Sequence, residues 1–476
     1  MSIFWRDHRQ FTAIKIGEAE FMKTKITEMS YSDVLNLEKE KHQNPIRPNI
    51  FFRTLLKLVG IPDLLKSHFT CRYEGMEKLG KNEPCIILMN HSAFLDLEIL
   101  TSVLYPRAIN IVASNDAFFG KDWLMRHIGC VPTRKYVHDL GLVRDIKYSI
   151  ETLKTSVAIF PEAGYSMDGS ATSIGESMGK LVKMLNVPVV MIKAEGVYLR
   201  DPLYNNLQIR KNVKTSATVK YLISPEEIQE MTSDEINEIV QREFTFDYFT
   251  WQKENKIVID EPFRADCLNR VLFKCPHCMA EGQMEGKGVN ITCKKCGVTY
   301  TLDEYGYLRN LDGETKFDHI PNWYAWQREE IKKQLMADEY HLDIPVDICC
   351  SKDTKNMYHI GEGRLTHDRK GFVLDGVGGE LHYEQKPLSS YSLCADFYFY
   401  EIGDVVVVGN SKMLYYLFPK CEGDVVAKIR VAQEELYKII SEEHRLEREE
   451  RKKAQEHHEE EAASPAEGEK MMAAAE

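Results

Sequence analysis

The sequence predicts a multidomain chain: an α/β domain with a mostly parallel sheet, a small unit built on four cysteines, and a β-rich C-terminal domain. Three observations carry this. Short apolar runs alternate with helical patterns between residues 69 and 223. Two Cys-x-x-Cys pairs follow, at 275–278 and 293–296. Beyond residue 344 the chain turns to short strand-like runs separated by Gly, Asp, Asn and Pro. At 476 residues it is also too long for one ordinary core.

Composition narrows the class. With 43% apolar and 28% charged residues the chain is of globular type. Half of the net charge of −12 lies in the last 36 residues, which hold 12 Glu against 6 Arg or Lys. The remaining body is not basic, so nucleic-acid binding is not expected. Met1 to Arg6 lacks the apolar run of a signal peptide, and no segment approaches the roughly 18 apolar residues needed to span a bilayer. A cytoplasmic protein is expected, whose 12 cysteines are thiols or metal ligands rather than disulfides.

In chain order, residues 1–45 form a polar N-terminal extension with a helical pattern from 31 to 41. The α/β domain is expected over 46–265. It opens on an amphipathic segment at 49–62, with Phe52, Leu55, Leu56 and Val59 at helical spacing and Arg53 and Lys57 off that face. Such a helix packs on the domain core or lies in a membrane interface. Strands are predicted at 85–89, 109–113, 130–133, 156–160, 187–193 and 215–223, and helices at 123–128, 139–153 and 176–185. Thr232-Ser-Asp-Glu235 reads as a capping box opening a last helix to about Glu243. The cysteine unit spans 270–312, a linker helix with Trp323 and Trp326 lies within 313–343, and the β-rich domain with a helix at 425–440 spans 344–441. A charged tail, disordered toward its end, fills 442–476.

The chemistry centres on the apolar run Ile86 to Met89, followed by Asn90-His91 and, five residues after the histidine, Asp96. Five residues along a regular helix place two side chains about 140° apart, so the pair can meet only if His91 leaves a strand end and Asp96 faces back from the helix that follows. A carboxylate on one imidazole nitrogen fixes the tautomer and frees the other nitrogen as a general base. Arg134, with Gly129 just before its strand, and then Glu162, with Gly164, Tyr165 and Ser166 beyond it, follow the ends of later strands. Ligands bind along that edge of an open α/β sheet.

In this order the motifs resemble those of the glycerolipid acyltransferase family, of the 1-acylglycerol-3-phosphate acyltransferase type. Asn90-His91 and Asp96 are similar to its first, HxxxxD motif, and Gly129-Cys-Val-Pro-Thr-Arg134 to its second. Phe160-Pro-Glu-Ala-Gly-Tyr-Ser166 is similar to its third, and Val187-Pro-Val-Val190 to its fourth. The resemblance covers about 70–200. It implies transfer of a fatty acyl group from acyl-CoA or an acyl carrier protein to a hydroxyl of a glycerophosphate, lysophospholipid or related acceptor. His91 is then the base, assisted by Asp96, and Asn90, Gly129, Arg134, Glu162, Gly164, Tyr165 and Ser166 bind substrate. The third motif departs from the usual Phe-Pro-Glu-Gly-Thr-Arg-Ser, because Tyr165 stands where the family has arginine. A phosphate dianion calls for paired cations, so the departure leaves the acceptor open. It also motivates an alternative, a non-catalytic lipid-binding scaffold.

Cys275-Pro-His-Cys278 and Cys293-Lys-Lys-Cys296 are separated by 14 residues. Two such turns make a closed tetrahedral site for one structural zinc ion, as in zinc ribbons, with His277 left as a loop residue. The β-rich domain resembles PH- or GRAM-like barrels in its run of strands closed by one helix. A peripheral association with membranes is expected, and the ribbon or C-terminal domain offers a surface for a protein partner.

Overall fold

Residues 26–463, apart from 39, 138 and 173, are described by a computed structural model. Residues 1–25 of the N-terminal extension and 464–476 of the tail lie outside the described residues. A short strand, β1 (Ile26–Glu28), comes first and pairs far along the chain.

Seven strands make the first sheet: β2 (Thr70–Glu74), β3 (Ile86–Met89), β4 (Ile109–Ser114), β5 (Cys130–Thr133), β6 (Ser156–Ile159), β7 (Val189–Glu195) and β8 (Ser216–Ile223). Their order is β2-β8-β7-β3-β6-β4-β5, and every adjacent pair is parallel except β7 with β8. The sheet is therefore mixed with mostly parallel strands. Central β3 is wholly buried. Because a strand alternates faces, Ile87 and Met89 enter one core with helices Ile50–Lys66 and Leu95–Val103. Ile86 and Leu88 enter another with Leu140–Glu151, Ser177–Leu185 and Ser233–Glu243. Helices on both faces explain the unbroken apolar run. Edge strand β2, Thr-Cys-Arg-Tyr-Glu, is mostly exposed, so no apolar pattern announces it.

Strands β3, β6, β4 and β5 are parallel neighbours, so the loops after their carboxyl ends share one edge. Those loops begin at Asn90, Phe160, Asn115 and Arg134. The predicted stripe on Ile50–Lys66 is split: Phe52 and Leu56 pack on the core, whereas Leu55 and Val59 are exposed with Ile50, Phe51, Leu58 and Leu65.

The cysteine unit is a four-stranded antiparallel sheet of β9 (Met284–Lys287), β10 (Asn290–Cys293), β11 (Thr299–Leu302) and β12 (Leu308–Asn310). The helix Ile320–Met336 is packed against this unit rather than free-standing. Trp323 is fully buried, and its Nε1 donates to the Lys274 carbonyl at 2.9 Å. Gln327 takes the Lys274 amide and donates to the Val271 carbonyl.

The C-terminal region is β-rich. A meander of β13 (Leu342–Ser351), β14 (Met357–Asp368), β15 (Gly371–Gly376) and β16 (Leu381–Gln385) is followed by a second one of β17 (Cys394–Phe399), β18 (Gly403–Gly409) and β19 (Leu414–Pro419). Pairing of β13 with β19 joins them, and β1 adds alongside β14. The helix Val426–Ala463 closes the region and runs well past Glu442, where the sequence turns to a charged tail. One core joins all these units: Met167, Tyr198 and Tyr248 share it with Met284 and Tyr300, with Trp323 and Tyr324, and with Leu417 and Leu436.

Candidate active site and cysteine cluster

The loop after β3 holds His91 and leads into the helix that carries Asp96. His91 Nδ1 lies 3.1 Å from Asp96 Oδ2, and the same oxygen accepts the backbone amides of Ser92 at 2.5 Å and Ala93 at 3.1 Å. Asp96 sits in the first turn of Leu95–Val103 and reaches back over the loop; the helix opens at Leu95, three residues after Ser92. A carboxylate oxygen that already accepts two N–H groups takes a third from Nδ1–H, which leaves the Nε2 lone pair free. Phe160 stacks on the imidazole at 4.1 Å, and Tyr165 meets it edge-on at 4.5 Å. Burial holds His91 below its ordinary range despite the opposing effect of Asp96, so the neutral base form prevails at neutral pH.

The third-motif loop grips His91 from both sides. Glu162 Oε1 accepts the His91 amide at 3.0 Å, and the Ser166 amide donates to the His91 carbonyl at 3.1 Å. Glu162 Oε2 accepts from the Thr172 hydroxyl and amide. With its oxygens so engaged and only 1% exposed, Glu162 braces the loop. Burial, its largest influence, pushes its carboxyl up to about 7.

Other residues expected to touch substrate are placed in the framework. Asn90 is buried, and its amide pairs with both the carbonyl and the amide of Ala194 on β7. Tyr248, unremarked in the sequence, joins this lock by taking hydrogen bonds from Asn90 and Ser92. Gly129 has φ +98°, and a Cβ there would stand 2.7 Å from the Ile109 carbonyl, so close packing accounts for the glycine. Ser166 Oγ is buried and bonded to Ser170. Gly164 lies beside the Tyr136 hydroxyl, 3.7 Å from its Cβ position. Arg134 points toward the C-terminal region, with Nη2 3.4 Å from the Lys352 carbonyl and Nη1 3.9 Å from Asp139. Tyr165 meets the His91 ring with its own side chain.

That C-terminal region covers the same edge. Tyr400 donates to Asp116 Oδ2 at 3.0 Å, Thr354 Oγ1 donates to Asp122 Oδ1 at 2.8 Å, and the rings of Tyr136 and Tyr391 meet at 5.4 Å. Phe119 is inserted among Phe399, Val405 and Tyr416. Such contacts join residues nearly 300 apart, and no local pattern reveals them.

The four cysteine sulfurs all lie within 4.8 Å of one another. Cys275 and Cys296 are 3.7 Å apart, as are Cys278 and Cys293. A disulfide requires about 2.05 Å, whereas four sulfurs at about 2.3 Å from a central zinc lie roughly 3.8 Å apart. The donor set and its spacing fit a tetrahedral ion. Each knuckle is the same turn: the Met279 amide donates to the Cys275 carbonyl and the Gly297 amide to that of Cys293. His277 is exposed and outside the cluster.

Native Glu162 binds its proton more tightly than the unfolded chain does, so its contribution favours folding below about pH 4.5 and fades as pH rises through about 7. Glu162→Gln should remove that dependence. Unfolding titrations from pH 4 to 8 should show the variant gaining on the wild type by on the order of 3 kcal/mol across this window. Equal slopes would contradict the bracing geometry.

Residues 70–193 match the family model described as Acyltransferase. No curated protein matches the chain. Among solved structures, the chain is similar to the 1-acyl-sn-glycerophosphate (LPA) acyltransferase PlsC from Thermotoga maritima, at 19% identity and a TM-score of 0.32, over 40% of this chain and 78% of that one. Residues 70–193, which hold the histidine–aspartate pair and the strand ends around it, are a domain of the acyltransferase family.

Proposed function

We propose that the chain moves a fatty acyl group from acyl-CoA or an acyl carrier protein to a hydroxyl of a glycerophosphate, lysophospholipid or related acceptor. The observation that carries this is the free Nε2 of an imidazole whose Nδ1 is bonded to Asp96. Nε2 takes the proton of the acceptor hydroxyl as its oxygen attacks the thioester carbonyl. Collapse of the tetrahedral adduct breaks the C–S bond, and the departing thiolate recovers the proton from His91. A thioester is already activated, so no acyl-enzyme is required. Stacking by Phe160 and the Glu162 and Ser166 bonds hold the ring in place and lower the cost of orientation.

His91→Ala should reduce transfer of a labelled acyl group by about 10²- to 10⁴-fold, read over a panel of lysolipids and both donor types. Activity equal to the wild type would refute the mechanism. The absence of the third-motif arginine at Tyr165 favours a second reading, a lipid-binding scaffold. It predicts no transfer to any acceptor and lipid binding unchanged by the same substitution.

The cysteine cluster suits one structural zinc ion held by Cys275, Cys278, Cys293 and Cys296, with no position open for chemistry. Metal analysis should return about one equivalent per chain. Chelation should lower the melting temperature and expose Trp323, whose indole bonds the residue before Cys275. Metal-free protein with an unchanged melt would exclude the site.

Among the described residues no helix is long and apolar enough to cross a membrane. The helix Ile50–Lys66 instead presents Phe51, Leu58 and Leu65 at 66, 57 and 70% exposure, with Trp123 of the neighbouring helix at 65%. An apolar patch beside a lipid-handling site supports docking on a bilayer surface. Phe51→Asp with Leu58→Asp should abolish co-flotation with phospholipid vesicles; undiminished flotation would refute it. Two meanders joined through their first and last strands, with a closing helix, support the PH-like reading of the C-terminal region.

A further inference from the structure

The His91 loop is held in part from outside the family-matched residues 70–193. The helix Tyr248–Glu254, between the mostly parallel sheet and the cysteine unit, brings a tyrosine hydroxyl to it. Tyr248 is buried, and its hydroxyl accepts from Asn90 Nδ2 and from Ser92 Oγ, the latter at 2.9 Å, while donating to the Ala194 carbonyl at 3.4 Å. One phenol oxygen thus uses its donor and both acceptor positions on the two residues that flank His91 and on the β7 carbonyl that Asn90 also holds. Burial raises the phenol well above its ordinary range, so the hydroxyl keeps its proton and serves as a fixed junction.

Tyr248 is seated from two directions. Its amide donates to the Gly169 carbonyl at 2.9 Å, and the Gly169 amide donates to Ser166 Oγ, so the third-motif loop that bonds the His91 carbonyl also carries the tyrosine. Its ring stacks on Tyr198 at 5.5 Å, with the planes 7° apart. From the other side the cysteine unit closes in. Gln252 of the same helix donates to the Glu304 carbonyl at 3.0 Å, and a Cβ on Gly306 would stand 2.6 Å from the Phe249 ring. Asp247 caps the helix through the Phe249 and Thr250 amides, and its Oδ2 lies 3.1 Å from His319 Nε2. His91 is one residue from each anchored neighbour. Its Nδ1 must stay on Asp96 for Nε2 to face the acceptor, and a misplacement of about 1 Å costs up to about 10²-fold in rate.

We propose that Tyr248 is a positioning residue for acyl transfer: through Ser92 and Asn90 it holds the His91 loop in the register that keeps Nδ1 on Asp96. The inference rests on the acyl-transfer reading above. It adds to that site a residue from beyond the family-matched stretch, seated by the cysteine unit.

The test uses the full chain with labelled acyl-CoA and acyl carrier protein donors and the lysolipid that the wild type turns over fastest. Tyr248→Phe keeps the stacked ring and removes the hydroxyl. With melting temperature establishing that it is folded, it should lower kcat by about tenfold or more and change KM by less than about twofold. Ser92→Ala removes the same hydrogen bond from its other end and should lower kcat by more than about twofold, again with KM held. Because both act through one bond, the double variant should match Tyr248→Phe within about twofold. A merely structural role would lower the melting temperature and leave kcat per folded molecule unchanged. A folded Tyr248→Phe with kcat within about twofold of the wild type, or a double variant in which the two losses multiply, overturns this inference alone. If Tyr248→Phe does not fold, Ser92→Ala decides: kcat lowered with KM held supports the proposal, and kcat within about twofold of the wild type overturns it. No turnover of any acceptor by the wild type overturns the acyl-transfer reading and the inference with it.

Discussion

One oxygen atom, Asp96 Oδ2, holds the His91 loop together. It accepts from His91 Nδ1 and from the amides of Ser92 and Ala93, so one charge sets the tautomer of the imidazole and satisfies two buried backbone donors. Charge-assisted bonds of this kind contribute about 1.5–3 kcal/mol each, enough to hold a loop that has no regular structure of its own. The aspartate is fully buried, and its other oxygen, Oδ1, has no hydrogen-bond partner. Such an arrangement is costly unless the loop is pinned from outside. The Asn90 bonds to Ala194, the Tyr248 hydroxyl and the Glu162 brace do the pinning, each from a different element.

The second constraint is the continuity of the core. Residues of the acyltransferase domain, the cysteine unit, the helix Ile320–Met336 and the β-rich region share one apolar cluster. The C-terminal region is thereby seated over the edge where the β3, β4, β5 and β6 loops converge, and cannot leave without exposing Phe119 and Tyr324. Polar links follow the same seam: Arg328 bridges Glu434 and Glu435, and Glu434 takes Ser392 Oγ and Arg430 Nε. Two cations around it hold Glu434 down to about 2 despite its burial. An ionised, fully paired glutamate ties the closing helix to the start of β17.

What the sequence makes legible follows from range. The alternation of apolar runs and helices, the strand-end position of His91 and the cysteine spacing are local, and the structure displays each of them. Edge strand β2 escapes because exposure removes its apolar pattern. The roles within the motifs are harder to read. Asn90, Gly129, Glu162 and Ser166 sit in motif positions, yet they lock, pack or brace, since a motif records what must stay in place without saying which residues face the ligand. Thr172 and Tyr248 come from segments 81 and 157 residues away from His91 and are brought to its loop by tertiary packing alone.

The same distinction bears on Tyr165. Read from the motif, it is a lost cation and a reason to doubt phosphate binding. In the structure it is also a ring packed edge-on against His91, opposite Phe160, so the imidazole is held between two aromatic groups while Asp96 holds its rim. An arginine at this place would put a positive charge beside the base and disfavour its taking a proton. Tyrosine holds the ring in place without that charge, and burial keeps the imidazole below its ordinary range. A change of one residue in the third motif thus exchanges a charge beside the imidazole for an aromatic contact that helps to orient it.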